Sequence, residues 1–191
     1  MSYLKNKIIN DPIYGFIQIP FNIIWEIIAH PHFQRLRRIS QLGLSSLVYP
    51  GAHHSRFHHA IGAMHLMNQA IYTLKSKGQK ISKKEHEASL IAILLHDIGH
   101  GPFSHALEDS IVENLSHEKI SIMFMKYLNE VFKGRLNLAI DIFQKKYKKK
   151  FLHQLISSQI DVDRLDYLNR DSFYSGVNEG IINSNRIGKP K

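Results

Sequence analysis

The stretch LLHDIGHGPFSHALE, residues 94–108, places His96, Asp97, His100 and His105 directly behind the apolar run SLIAILL. That run is apolar almost all round, which marks a central, buried helix. Ser82 and Glu85 in SKKE form a capping box that starts it, and Gly99, Gly101 and Pro102 break it after Asp97. A carboxylate in such surroundings needs a partner, because burying it unpaired is very costly. The helix dipole gives no help, since its C-terminal end is already negative. Neighbouring helical residues project about 100° apart, so His96 and Asp97 reach one cation together. A His-Asp pair alone is better read as a buried hydrogen bond, so further ligands decide the matter.

Two further ligands stand elsewhere in the chain. His59 lies in RFHH, at the start of a helical pattern running from Arg56 to about Lys77. Asp163 lies in IDVDRLDYL, an acid at helical spacing among Ile160, Leu165 and Leu168. Two imidazoles and two carboxylates make a mixed nitrogen and oxygen site for one divalent metal ion, with Mn, Fe, Mg, Zn and Ni all suited. Asp163, Tyr167 and Asp171 follow one another at intervals of four, so one helical face carries all three.

The rest of the pattern is helical apart from its beginning. KIINDPIYGFIQI, residues 7–19, reads as two short strands around turn residues, a small hairpin and nothing larger. FNIIWEIIAH predicts a short buried helix stopped by Pro31. FQRLRRISQLG predicts a second, with Gly43 as its stop and Arg37 and Gln41 on one face. Beyond Ser116, a candidate N-cap, the periodicity predicts three more helices: one to Gly134, one over LNLAIDIFQKKY, and one over FLHQLISSQIDVDRLDYLNRD. The expected architecture is all-α with an N-terminal β-hairpin: residues 1–20 as hairpin segment, 21–176 as helical domain, 177–191 as loop or tail.

Composition bounds the function. A chain of 191 residues, 43% hydrophobic, suits one compact domain. It has no cysteine, which excludes disulfides and thiolate metal ligands. The apolar runs are too short to span a bilayer, so a soluble, cytoplasmic protein without a membrane partner is expected. Twenty-five Lys and Arg against 16 Asp and Glu give a formal charge of +9, which favours anionic partners. KKYKKK, residues 145–150, contributes five lysines, better read as a solvated segment than as a binding patch.

The pattern H…HD…D resembles the metal signature of the HD-domain phosphohydrolases. NDPIYGFI, FQRLRRISQLG, YPGAHHSRFHHAIG, LLHDIGHGPFSHALE, SHEK and DVDRLDYLNRD resemble, in order, the branch that hydrolyses deoxynucleoside triphosphates to deoxynucleoside and tripolyphosphate. The resemblance implies the HD-domain helical fold. It implies His59, His96, Asp97 and Asp163 as metal ligands, with His58 a bystander. It implies His100, His105 and His117 as catalytic or supporting histidines with Glu118 beside them. It places Arg56 and Arg164 toward the phosphates, and Gln41, Leu42, Tyr167 and Asp171 at the deoxyribose. Lys7, Asn10, Gln34 and Arg37 match positions of a nucleotide effector site, and a homo-oligomer is implied. Ala29 stands where the animal enzyme reads guanine with an aspartate, Arg164 replaces a lysine, and Glu108 replaces an aspartate. Family members normally continue well past the position of Lys191, so a fragment and a naturally short form are both open. Two other functions fit the sequence: a broader HD phosphohydrolase acting on nucleotides or other phosphoesters, and a catalytically weak nucleotide- or nucleic-acid-binding fragment.

Overall fold

A computed structural model describes residues 7–103 and 116–178. The N-terminal hairpin forms around Asp11, whose Oδ1 accepts hydrogen bonds from the backbone N–H of Ile13 at 2.9 Å and Tyr14 at 3.1 Å. Strands β1 (Ile8–Asp11) and β2 (Gly15–Gln18) pair antiparallel with Ile9 opposite Ile17. Gly15 closes the turn at φ 70°, a left-handed conformation that costs glycine nothing. Ile17 is fully buried, so the hairpin is docked on the helical core.

Helix α1 (Asn22–Ala29) buries Ile23, Ile24, Ile27 and Ile28, spaced along one stripe. Pro31 holds His30 extended and then opens α2 (Pro31–Gln34) from its first position. The expected helix through Gly43 does not form. A short 3₁₀ turn, Arg35–Arg38, follows α2 and ends at Ile39, which is extended. The cause lies outside the segment: Ser40 bridges Ser55, and the Arg35 side chain donates to the backbone carbonyls of Ile98 and His100. Arg37 and Gln41 therefore share no helical face.

Helices α3 (Arg56–Ser76) and α4 (Lys83–Leu94) pack together as the centre of the molecule. The Ser82–Glu85 capping box forms as expected, with Glu85 N–H donating to Ser82 Oγ at 3.2 Å and Ser82 N–H to Glu85 Oε2 at 2.7 Å. Leu90, Ile91, Ile93 and Leu94 are all within 1% of full burial, each contributing about 1.5–3 kcal/mol against an exposed reference. Helix α4 ends at Leu94, so His96 and Asp97 lie in the turn that follows and not on the helix itself.

Helix α5 (His117–Val131) starts at its Ser116 cap and gives way to a turn closed by Gly134 at φ 81°. Helix α6 (Asn137–Phe143) packs on α4. The last predicted helix is two. α7 (Lys150–Gln154) stops, and α8 (Val162–Ser175) begins anew because Asp161 takes the N-cap position, accepting from Arg164 N–H at 2.7 Å. Helix α8 packs across α3 at Gly62, where an added Cβ would overlap Asp166 and Arg170. Part of the lysine run is structural: Lys149 Nζ lies 2.9 Å from Glu85 Oε2, and Tyr147 donates to Glu85 Oε1 at 2.6 Å. Among the described residues no helix is long and apolar enough to cross a membrane.

Candidate metal centre

His59 sits in the first turn of α3. The neighbouring His58 is spent on the cap, its Nδ1 accepting from Ser55 N–H at 3.2 Å, while His59 faces inward and is fully buried. His96 and Asp97 come from the turn after α4. Ser121 of α5 braces that turn, donating to His96 O at 2.7 Å and accepting from Gly99 N–H at 2.9 Å. Asp163 comes from the first turn of α8, where the positive end of the helix dipole favours a carboxylate.

Three side chains from these three places converge. The Nε2 atoms of His59 and His96 lie 3.4 Å apart, and Asp163 Oδ1 is 3.0 Å from the first and 3.3 Å from the second. The other ring nitrogens are already committed. His59 Nδ1–H donates to Asp166 Oδ2 at 2.8 Å, and His96 Nδ1–H donates to the Ile93 carbonyl at 2.6 Å. Each neutral imidazole therefore presents an Nε2 lone pair to the same point as a carboxylate oxygen. Three such acceptors facing one another repel unless a proton or a metal cation lies among them, and two imidazole nitrogens with a carboxylate oxygen are a donor set that fits a divalent metal.

Asp97 stands beside this cluster, its Oδ1 3.4 Å from His96 Nε2 and its Oδ2 3.8 Å from His59 Nε2. Its Oδ2 also accepts from Arg56 Nη1. The electrostatics agree with a site for positive charge. Burial disfavours the His59 imidazolium, yet Asp163 and Asp166 outweigh it and hold the pKa up at about 10. Burial likewise opposes ionised Asp97, but His96, His100 and Arg56 keep its carboxyl well below the usual range. In the absence of a metal, a proton on His59 offsets the carboxylates.

The remaining predicted residues divide. His100 Nε2 lies 3.4 Å from Asp97 Oδ1, and its ring stacks on His117 with centroids 4.1 Å apart. Burial pushes the His100 pKa down to about 4 against the pull of Asp97. Glu118 instead borders a separate groove of about 390 Å³, with Lys145, Lys146 and His153. Arg164 is exposed, its Nη1 donating to the Gln159 carbonyl at 3.1 Å. Asp171 accepts from buried His54 Nε2–H at 2.7 Å, and Gln41 N–H donates to the His54 carbonyl at 3.0 Å, so His54 ties these two together. Leu42 and Tyr167 are half-buried. His105 lies outside the described residues.

Residues 56–171 match the HD-domain family model. The chain belongs to the HD-domain family. Its similarity to a Bacteroides thetaiotaomicron phosphohydrolase of known structure is 60% identity at a TM-score of 0.93, over 95% of this chain and 45% of that one. It is 37% identical to the Dictyostelium discoideum homologue of the deoxynucleoside triphosphate triphosphohydrolase SAMHD1, over 92% of this chain and 38% of that protein. Human SAMHD1 is 32% identical, over 90% and 34% respectively. An uncharacterised Bacillus subtilis protein, YwfO, is 38% identical over 96% and 43%. The chain thus spans less than half the length of each of these relatives.

The sequence alone does not single out Asp166 and Arg170, and it places His54 beside the site, as a loop residue or a phosphate contact, without its partner Asp171. Asp166 orients His59, Arg170 holds Asp166 with Nε 2.9 Å from its Oδ2, and His54 holds Asp171. The spacing of Asp163, Asp166 and Arg170 at three and seven residues was the available signal, since it puts all of them on one helical face.

Proposed function

We propose that this chain carries the metal-dependent catalytic core of a deoxynucleoside triphosphate hydrolase that releases deoxynucleoside and tripolyphosphate. The observation that carries this reading is the convergence of His59, His96 and Asp163 with both imidazole Nδ1 protons committed elsewhere. Asp97 is the fourth ligand. A bound divalent ion neutralises phosphate charge and supplies an acidified water for attack at phosphorus. The SAMHD1 relatives, named for this reaction, support the choice of substrate.

The chain's own residues take the other roles. Arg56, released from Asp97 to the substrate, and Arg164 at the rim meet the triphosphate. The leaving 5′ oxygen needs a proton, and His117, stacked on His100, or His105 supplies it, with Glu118 next to His117 in the chain. Gln41, Leu42, Tyr167 and Asp171 read the deoxyribose, with Asp171 held by His54. Lys7, Asn10, Gln34 and Arg37 form a nucleotide effector site in a cytoplasmic homo-oligomer. Lys7 lies over the Trp25 ring at 5.2 Å, Asn10 is exposed, and Gln34 Oε1 accepts from Arg37 Nε at 2.8 Å.

Phosphorus NMR of the purified protein with a dNTP mixture and Mn²⁺ tests the reaction. Tripolyphosphate is the expected product. A second reading, a broader phosphohydrolase acting on nucleotides or other phosphoesters, is favoured by the 60% identity to the Bacteroides thetaiotaomicron phosphohydrolase. It predicts orthophosphate instead. Intact dNTPs with metal-loaded protein would contradict the first reading, and orthophosphate released from a nucleoside monophosphate would then favour the second.

A further inference from the structure

The hairpin and the metal cluster are joined by a continuous buried chain of charged groups. Asp11, at the end of β1, is 4% exposed, and its Oδ2 lies 2.9 Å from Arg170 Nη1. Arg170 is fully buried and grips Asp166 with two bonds, Nε to Oδ2 at 2.9 Å and Nη2 to Oδ1 at 3.0 Å. Asp166, also fully buried, accepts from His59 Nδ1–H at 2.8 Å. Gly62 gives this chain its room, because a Cβ there would overlap both Asp166 and Arg170. The Tyr14 ring, on the same turn as Asp11, lies 5.6 Å from the Arg170 guanidinium.

From this we infer that Asp11, outside the metal cluster and in another element, is a positioning residue for the metal ligand His59, acting through Arg170 and Asp166. Asp166 Oδ2 is shared between Arg170 Nε and His59 Nδ1. Its position therefore depends on how Arg170 is held, and Asp11 holds the far end of Arg170. Charge makes the same demand. With Asp11 present, the Arg170 cation faces two carboxylates. Without it, an under-compensated cation is separated from His59 by Asp166 alone, pulling Asp166 away and repelling a dication. Buried charges are retained only where each is paired, and the hairpin supplies one of the pairs. The hairpin is thus part of the apparatus that aims the His59 lone pair. This inference rests on the metal reading of the cluster.

The test uses Asp11→Asn, which keeps an oxygen for the Ile13 and Tyr14 N–H groups and removes the charge from Arg170. Mn²⁺ alone is titrated into the wild-type chain and the variant, with thermal unfolding of both. In parallel, the His59 Nδ1–H resonance is followed by imidazole nitrogen-proton NMR on metal-free protein. The expected result is Mn²⁺ affinity weaker by roughly tenfold, the scale of lost outer-shell support, together with a shifted His59 Nδ1–H signal. A lower melting temperature with unchanged Mn²⁺ affinity and an unmoved signal would reduce Asp11 to a fold anchor and overturn the inference. If the variant does not fold, Arg170→Lys, which keeps the charge but loses the two-pronged grip, is expected to show the same two changes; neither change would overturn the inference. A wild-type chain that takes no Mn²⁺ defeats the metal reading instead. The NMR signal then still decides whether Asp11 governs His59.

Discussion

At the residue scale, a histidine binds metal well only if its second nitrogen is held. His59 and His96 solve this differently, one with a carboxylate and one with a backbone carbonyl, at 2.8 and 2.6 Å. The carboxylate raises ligand basicity as well as fixing the tautomer. Asp166→Asn is therefore expected to weaken Mn²⁺ binding about 10- to 100-fold, measured by calorimetric titration, whereas an unchanged affinity would remove Asp166 from the site. His96 and Asp163 were legible in the sequence, because polar groups among apolar residues ask for a partner, whereas His59 is told from His58 only by the family resemblance. Asp166 was not legible. With Arg170 four residues on, it resembles an ordinary surface ion pair, and only the packing of α8 on α3 buries both.

At the element scale, boundaries were legible where the determinant is local. The Ser82–Glu85 box and Pro31 each act within a few residues and were read correctly. The 3₁₀ turn at Arg35 was not, because its carbonyl partners lie 63 and 65 residues away. The break before α8 had a local cause, Asp161, masked by the apolar periodicity on both sides. Helix α4 also carries a pH dependence. His86 is buried on it, its Nε2 2.8 Å from Asn68 Oδ1 of α3. Burial, with Lys75 nearby, lowers its pKa from 6.5 to about 4. A depressed folded pKa gives stability that is present above the unfolded value and lost as the pH falls through the folded one. The melting temperature is expected to fall between about pH 6.5 and pH 4, and His86→Gln to flatten that slope. Identical slopes in the two proteins would show that folding does not depress the His86 pKa.

At the scale of the whole molecule, the fold gathers one site from four distant segments: the hairpin, the start of α3, the turn after α4 and the start of α8. The fold class was legible, since helical periodicity and the hairpin turn signals pervade the chain. The 159-residue link from Asp11 to Arg170 was not, because no local pattern encodes it. The function of the site rests on the three converging side chains of His59, His96 and Asp163 holding a metal cation. Metal content by mass spectrometry, on wild-type protein and Asp163→Ala loaded with Mn²⁺ and then dialysed, tests that most directly. About one Mn per wild-type chain is expected, and a large loss in the variant, since removing Asp163 takes away the carboxylate that both imidazoles face. Full metal in Asp163→Ala, or none in the wild type, would contradict the metal reading.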